Sequence, residues 1–228
     1  GEVQMLLFSA TVPEWVSQMA KAYQTDPYQL DVVGIQTTRL ATTVTHYLRA
    51  TPWEKADKLD ALVDILEHHS RQGMVICFVN TKLEAHWLSE QRRLSMFSPS
   101  FLHGDMSQVL RDHTMNGLRS GRFRVLVATD VAARGLDIEG IETVVQWTPP
   151  FDSDTYVHRS GRTGRAGRTG TSITMFTPGK DFNKMVRIAK ELQVEPKLLW
   201  GLAAPQKRAL RLKEGIANAQ EIPHGEAP

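Results

Sequence analysis

Short apolar, β-branched runs alternate along the chain with segments whose apolar residues recur at helical spacing. The apolar runs lie at 74–79 (MVICFV), 124–129 (RVLVAT), 143–147 (TVVQW) and 172–176 (SITMF). Strands that are apolar at nearly every position are typical of a parallel sheet covered by helices on both faces. The pattern therefore predicts an α/β fold with a mostly parallel sheet, whose functional loops lie together at the carboxyl ends of the strands.

Capping residues mark where the helices between these strands begin and end. Thr-x-x-Glu sequences that can form capping boxes begin at Thr51 and Thr81, and Ser107 can cap a helix that stops near Gly121. One helix is predicted by the i, i+3, i+4, i+7 spacing of four apolar residues, Leu59, Leu62, Val63 and Leu66.

The composition excludes several classes of protein, but it does not indicate a particular function. The chain has 228 residues, of which 41% are hydrophobic and 23% charged, and a net charge of +2. No apolar run approaches the ~18 residues of a membrane-spanning helix. The single cysteine, Cys77, excludes an internal disulfide framework and a cysteine-rich zinc site. We expect an intracellular protein with a helix and linker at 1–40, a domain at 41–195, and a flexible extension at 196–228.

The strongest chemical signal is the segment 158–168, HRSGRTGRAGR. It holds four arginines, one histidine and three glycines in eleven residues, a composition for which an apolar core has no use. Glycines let a backbone approach a ligand closely, and guanidinium groups match phosphate oxygens in bidentate geometry. Arg159, Arg162 and Arg165 are three apart, so a helical turn would present them on one side. The alternative is a solvated basic loop.

Two further segments place polar groups after predicted strands. At 127–137 a hydrophobic strand ends in Thr129 and Asp130, and small residues then lead to Arg-Gly-Leu-Asp. At 102–111 a strand end meets His-Gly-Asp and then a capped helix with Arg111 in its first turn. Either could bind a nucleotide or a phosphodiester at the edge of an open sheet. Either could also be an ordinary junction between a strand and a helix.

Taken together, these segments resemble the motifs of the C-terminal, second RecA-like lobe of a DEAD-box RNA helicase of superfamily 2. The matching stretches, in the order of the family, are Ser9-Ala10-Thr11 (the SAT motif that closes the first lobe), VICFVNTK at 75–82 (motif IV), LHGDMSQVLR at 102–111 (motif IVa), VLVATDVAARGLD at 125–137 (motif V) and HRSGRTGRAGR at 158–168 (motif VI). The resemblance covers nearly all of residues 5–192 and implies a three-layer RecA-like fold. Ser160 and the Ser-Ala-Thr-Val-Pro-x-Trp opening resemble nucleolar Gu-type helicases and their organelle relatives, which implies a nuclear, nucleolar or organellar protein.

The resemblance also implies a role for individual residues. The expected ATP-binding residues are Gly135, Asp137, Arg162 and Arg165. Of these, the expected catalytic residues are the arginine fingers Arg162 and Arg165, which would stabilise charge on the transferred phosphoryl group. The expected RNA-binding residues are Thr81, Gly104, Arg111 and Thr129. The residues expected to couple the two lobes are Ser9, Thr11, His158 and Arg159.

The implied cofactor is ATP with Mg²⁺, and the residues that bind the Mg²⁺ would belong to the first lobe. The chain has no Gly-Lys-Thr phosphate loop and no Asp-Glu-Ala-Asp sequence. We therefore expect part of a longer helicase that remodels or unwinds RNA but does not hydrolyse ATP as this part alone. Its expected partners are RNA, as a single strand or short duplex bound with little sequence preference, and the N-terminal lobe. No membrane, no metal site of its own and a monomeric state are also expected.

Two other classes of function compete with this interpretation. A helicase lobe could serve as a non-catalytic docking module for RNA or protein, although such a module has no need of both Arg162 and Arg165. A doubly wound dehydrogenase would share the rhythm of strands and helices. It would need a Gly-x-Gly-x-x-Gly turn after its first strand, whereas Gly161, Gly164 and Gly167 are spaced differently and lie late in the chain.

Overall fold

The structure, a computed structural model, describes residues 4–7, 14–28, 30, 40–70, 73–133, 138 and 140–199. The chain divides into two compact units, residues 1–36 and 37–228. In the first unit the described residues contain one helix, α1 (Glu14–Tyr23). After it, the Gln24 side-chain amide donates a hydrogen bond to the carbonyl of Met5 at 3.0 Å.

The second unit alternates strands and helices. Its strands are β1 (Val44–Ala50), β2 (Met74–Val79), β3 (Pro99–Leu102), β4 (Val125–Thr129), β5 (Ile141–Gln146), β6 (Gly170–Phe176) and β7 (Lys197–Leu198). Its α-helices are α2 (Lys55–His68), α3 (Lys82–Ser89), α4 (Gln108–Arg119), α5 (Asp130–Ala133), α6 (Ser153–Ser160) and α7 (Phe182–Glu191), and a 3₁₀ helix spans Arg92–Phe97.

The seven strands form one sheet in the order β3-β4-β2-β5-β6-β1-β7. Every strand pair among the described residues is parallel. All carboxyl ends therefore lie along one edge, which we call the carboxyl edge. The expected α/β fold with a parallel sheet is confirmed.

Helices cover both faces of the sheet, and strand β2 shows why its sequence is apolar throughout. Val75, Cys77 and Val79 pack in a cluster with residues of α2 and α3. Ile76 and Phe78 point the other way and pack in a cluster with residues of α4 and α5. Since successive side chains of a strand alternate between faces, a strand with helices on both sides must be apolar at consecutive positions. Burial also raises the pKa of the Cys77 thiol to about 12, which keeps it protonated.

Two of the three helix-start predictions are confirmed. The hydroxyl of Thr81 accepts the Glu84 N–H and the Glu84 carboxylate accepts the Thr81 N–H, so the capping box at α3 is complete. Ser107 caps α4 by accepting the Leu110 N–H. That helix gives way to Gly121, whose φ of +72° is one that side-chain-bearing residues rarely adopt.

The capping box expected at Thr51 is wrong. Helix α2 begins at Lys55, with Glu54 as its N-cap residue. The N–H of Thr51 donates to the carbonyl of Phe176 at 2.9 Å, and its hydroxyl lies 3.3 Å from the same oxygen. Thr51 therefore continues the β1–β6 ladder, and its side chain is used by the sheet rather than by the helix.

The sheet extends a little beyond the boundary expected at residue 195. Lys197 and Leu198 pair with Tyr47 and Leu48, and the Leu199 N–H donates to the carbonyl of Leu48 at 2.9 Å. The remainder of the expected extension, from residue 200, lies outside the described residues. Across the helices that the structure does describe, none has the length and apolar character needed to span a bilayer.

Candidate functional site

The four residues expected to bind RNA come together at the carboxyl edge. Strand β4 lies between β3 and β2, with Thr129 opposite Val79 and Ala128 opposite Leu102. Thr129 ends β4, Thr81 follows β2 by two residues, and Gly104 follows β3 by two residues. The ends of three neighbouring strands thus supply three of these residues.

Arg111 joins the same group from the first turn of α4. Its Nη2 donates to the carbonyl of Ala132 at 3.3 Å, just after the end of β4. Its Nε is buried without a hydrogen-bond partner in the described structure, as is Nδ1 of the nearby His103. A buried guanidinium donor without a partner is costly, so the surroundings of Arg111 suit a ligand that offers acceptor oxygens.

The loop that carries Thr81 is fastened on both sides. The Glu84 carboxylate accepts the Asn80 N–H at 2.9 Å and the Thr148 hydroxyl at 2.6 Å, which ties the loop after β2 to the loop after β5. On the other side, Lys82 pairs with Asp105 of the loop after β3 at 2.7 Å. This hydrogen bond and ion pair lower the pKa of the Asp105 carboxyl. The Thr81 and Gly104 backbones are therefore held in a defined relation before any ligand arrives.

Arg159 is the buried centre of a polar cluster at this edge, which we call the arginine clamp: Arg159, Asp130, Asn80 and Thr148. Its Nε and Nη2 donate to the two carboxylate oxygens of Asp130, each at 2.7 Å. Nη2 also donates to the Asn80 side-chain oxygen at 2.7 Å, and Nη1 donates to the Thr148 carbonyl at 2.9 Å. The clamp therefore joins α6 to the loops that follow β2, β4 and β5.

This geometry corrects the expectation for Arg159. The side chain is only 1% exposed, and its guanidinium carbon lies 5.3 Å from the ring centre of Phe78. A side chain so enclosed, with its donors already used inside the domain, has little left with which to contact another lobe. Arg159 therefore positions groups within this domain.

The expected helical turn carrying three arginines on one side is also wrong. Helix α6 ends at Ser160, and Gly161 is its C-cap residue. Arg162 and Arg165 lie in the turns that follow, so their side chains leave the buried face that Arg159 occupies. Arg165 Nε donates to the carbonyl of Gly161 at 2.9 Å, which closes the first turn of this loop.

The loop after α6 is pinned to the amino ends of two strands. The Thr163 hydroxyl donates to the Ile141 carbonyl at 2.7 Å, and the Thr43 hydroxyl donates to the Gly164 carbonyl at 2.8 Å. Gly164 has a φ of +69°, and a Cβ there would lie 2.5 Å from the Val44 side chain. A side chain at position 164 would therefore push the loop, with its arginines, away from the sheet.

Arg162 lies between two concavities. The smaller one also borders the arginine clamp, and its lining residues are Phe78, Asp130, Ala133, Thr155, His158, Arg159 and Arg162. The larger one is an open groove of about 450 Å³, lined by Ile138, Gly140, Ile141, Glu142, Arg162, Gly164, Arg165, Ala166, Arg168 and Thr169. The groove thus gathers three arginines, Arg162, Arg165 and Arg168, against one carboxylate, Glu142. This excess of guanidinium groups suits an oxyanion such as a phosphate.

Four expected site residues lie outside the described residues: Gly135, Asp137, Ser9 and Thr11. Conversely, sequence reasoning missed Asn80, Glu84 and Thr148 as parts of the site. Asn80 follows a buried strand directly, as Asp130 does, and that position was the available signal. Within the described ranges, no three His, Cys, Asp or Glu side chains are grouped so as to hold a metal ion.

The sequence that forms this site matches known proteins of one family. Residues 57–167 match the model of the helicase conserved C-terminal domain. The chain is 47% identical over 174 residues to the chloroplastic DEAD-box ATP-dependent RNA helicase 3A of Zea mays, covering 76% of this chain and 23% of the relative. It is 45% identical over 177 residues to nucleolar RNA helicase 2-A of Xenopus laevis, covering 77% of this chain and 23% of that one. The chain thus spans about a quarter of the length of these relatives.

A solved structure covers nearly the same unit. The C-terminal domain of the DEAD-box protein Dbp5 is 31% identical to this chain, with a TM-score of 0.61. The match covers 76% of this chain and 96% of that domain. The likeness therefore extends over a whole domain and not only over the motifs.

Proposed function

This chain belongs to the DEAD-box RNA helicases, whose conserved C-terminal domain it contains, and we propose that it is the second lobe of an ATP-dependent RNA helicase. In this proposal residues 41–195 form the lobe, residues 1–40 hold the end of the first lobe and the linker, and residues 196–228 are an extension. The observation that carries the proposal is the position of Arg162, which borders both the arginine clamp and the open groove.

The groove residues fit a triphosphate. Arg162 and Arg165 line a concavity in which Gly140 leaves room beside the backbone. When bound, ATP with Mg²⁺ would supply the phosphoryl group for transfer to water, and the magnesium ligands would come from the first lobe. Arg162 and Arg165 would stabilise the negative charge that develops on that group, an effect worth about 10³–10⁵ in rate where arginine fingers operate. Gly135 and Asp137 are proposed to contact the rest of the nucleotide.

The arginine clamp gives a physical route between nucleotide and RNA. Arg159 holds Asp130 at the end of β4 and Asn80 at the end of β2, next to Thr129 and Thr81. A shift of α6 on closure of the two lobes would therefore move the RNA edge as well. His158, Ser9 and Thr11 are the proposed contacts that report closure to the first lobe, and Arg159 would act through the clamp.

RNA is the proposed partner at the carboxyl edge, gripped by its backbone. Thr81, Gly104, Arg111 and Thr129 offer hydroxyl, backbone and guanidinium donors, which suit phosphate and sugar oxygens but read no base. Binding is expected to be tolerant of sequence and to weaken as salt rises. The names of the relatives, which are RNA helicases of the nucleolus and the chloroplast, support RNA and one of these compartments.

The test compares RNA-stimulated ATP turnover of this chain alone with that of the same chain joined to a complete first lobe. We expect turnover only in the two-lobe protein, because the phosphate loop and magnesium ligands are supplied there. Turnover by this chain alone would contradict the half-site proposal. If neither protein hydrolyses ATP but both still bind RNA, the non-catalytic docking module is favoured instead.

A further inference from the structure

Two aromatic side chains stand exposed at the part of the carboxyl edge that the proposed RNA site does not use. Trp53, after β1, and Phe151, after β5, are each 62% exposed. Aromatic residues of this size bury 150–250 Å² when packed. Exposing two of them on loops that follow strands separated only by β6 leaves a substantial apolar surface facing solvent.

Each of these aromatic rings is accompanied by a lysine from one short segment. Lys180 Nζ lies 3.9 Å from the ring centre of Trp53, and Lys184 Nζ lies 5.9 Å from that of Phe151. Arg187, one turn further along α7, donates to the Phe151 carbonyl at 3.3 Å. We call Trp53, Phe151, Lys180 and Lys184 the aromatic–lysine patch. An ordinary solvent-facing apolar residue has no need of a cation at its ring.

The patch is continuous with the expected RNA contacts. The Asn80 side chain, next to Thr81, donates to the Pro149 carbonyl at 3.3 Å, two residues before Phe151. The Thr177 hydroxyl donates to the Pro52 carbonyl at 3.4 Å, which joins the loop after β6 to the loop that carries Trp53. From β2 to β1 the edge crosses β5 and β6, a distance of about 14 Å at the usual strand spacing of about 4.8 Å.

This combination matches the way proteins bind single-stranded nucleic acid without reading its sequence. Bases stack on exposed aromatic rings, and neighbouring cations take the phosphates. Exposed carboxylates lie beside both rings, at Glu54 and Asp152, but Asp152 is engaged as the N-cap of α6, where it accepts the Thr155 N–H at 2.7 Å. The side chains that contact the rings themselves are cationic, which favours an anionic ligand over a neutral or basic peptide. Among anionic ligands, a nucleic acid strand also has bases that can stack on the two exposed rings.

We propose that the aromatic–lysine patch is an accessory site for single-stranded RNA. A strand held by its backbone near Thr81 continues along the carboxyl edge, stacks a base on Trp53 and another on Phe151, and places phosphates near Lys180 and Lys184. This inference rests on the proposed RNA-binding function and adds a base-stacking segment to it. Because stacking does not depend on which base is present, the patch lengthens the site without making it sequence-specific.

The test is fluorescence anisotropy with labelled oligouridine at low salt, using RNAs of about 6 and about 15 nucleotides, the span of known single-strand site sizes. Trp53→Ala is expected to weaken binding of the longer RNA about five- to tenfold, as expected for loss of one stacked base, and of the shorter one less than about twofold. Lys180→Ala should show the same dependence on length with a smaller effect. Trp53→Phe, which keeps a ring, should restore most of the loss.

Controls separate the possible outcomes. Lys190→Ala removes an exposed lysine from the same helix outside the patch and should leave both affinities unchanged. Thr81→Ala should weaken both RNAs together. If Trp53→Ala and Lys180→Ala bind the longer RNA as tightly as the parent does, the accessory site is refuted while the proposed function stands. If the parent chain binds neither RNA, the proposed RNA function fails along with it.

Discussion

Arg159 and Arg162 are three residues apart in one glycine-rich segment, yet the structure places them in different surroundings. Arg159 is buried, and four hydrogen bonds to Asp130, Asn80 and Thr148 hold its guanidinium. Arg162 follows the end of α6 and lines an open groove together with Arg165. The end of the helix at Ser160 separates them. One basic segment thus supplies Arg159, which holds neighbouring side chains in place, and also Arg162 and Arg165, which line the groove.

Arginine content alone therefore does not identify the arginines that contact phosphate. A guanidinium whose donors are already matched to a carboxylate, an amide oxygen and a carbonyl has little left to offer a ligand. The arginines beyond Gly161 lie where a ligand can reach them. We therefore expect mutation of Arg162, after the helix end, to lower catalysis, and mutation of Arg159, before it, to lower the stability of the fold.

The largest expected effect is on turnover. In the two-lobe protein, Arg162→Ala should lower RNA-stimulated ATP turnover about 10³- to 10⁵-fold, because it removes charge stabilisation at the transferred phosphoryl group. RNA affinity should change little, since the RNA contacts lie at the carboxyl edge. Steady-state ATP hydrolysis and RNA anisotropy on the same preparation measure both quantities. Equal turnover in mutant and parent would remove Arg162 from the catalytic role.

The next largest effect is on stability. Arg159→Met keeps the length of the side chain but leaves the Asp130 carboxylate without its partner and Asn80 without a donor. Breaking a buried pair from one side typically costs about 3–5 kcal/mol, and because Asp130 is 26% exposed we expect the lower end, about 3 kcal/mol. Urea denaturation of this chain, followed by circular dichroism, measures the free energy of unfolding.

Arg168→Met is the matched control for that measurement. It removes a guanidinium from the same segment, at a position that is exposed, and should cost at most about 1 kcal/mol. If both variants lose the same free energy of unfolding, the contrast between buried and exposed arginines fails as an account of this segment.

Features of the fold that depend on residues close together in the sequence could be predicted from it. Features that depend on contacts between residues far apart in the sequence could not. The apolar runs predicted β2, β4, β5 and β6, because burial on both faces leaves a local pattern. Strand β1, VTHYLRA, escaped prediction because it buries polar side chains such as His46 and Arg49. The cap at Thr81 is local and was predicted, whereas Thr51 binds a carbonyl 125 residues away.

The candidate site divides in the same way. Grouping of Thr81, Gly104 and Thr129 followed from parallel strands alone, since their carboxyl ends must share one edge. The burial of Arg159 did not follow, because its side-chain partners lie 29 and 79 residues away and belong to two different strand ends. A spacing of three residues suggested a common helical face, and only the position of the helix end shows that the face is not shared.

A further expected effect concerns the support beneath α6, the helix that carries Arg159 and ends before Arg162. His46 of β1 lies under this helix, with Nδ1 3.0 Å from the hydroxyl of Tyr156. Burial lowers the pKa of His46 from 6.5 to about 4 and raises that of Tyr156. Between these two pH values the unfolded chain binds a proton at this residue and the folded chain does not. Stability should therefore fall as pH drops from about 6.5 to 4, by at most about 3 kcal/mol.

The free energy of unfolding, measured by urea denaturation at pH 7 and at pH 4.5, tests this effect. His46→Gln keeps a hydrogen-bonding group near Tyr156 but does not titrate, so it should lose less stability across this range than the parent. Acidic groups whose pKa is lowered in the folded state, such as Asp152, titrate in both proteins and cancel in the comparison. Parallel pH profiles would show that His46 is not the titrating support of α6. A shallower dependence of stability on pH in the variant would link protonation under α6 to the helix that carries Arg159 and ends just before Arg162.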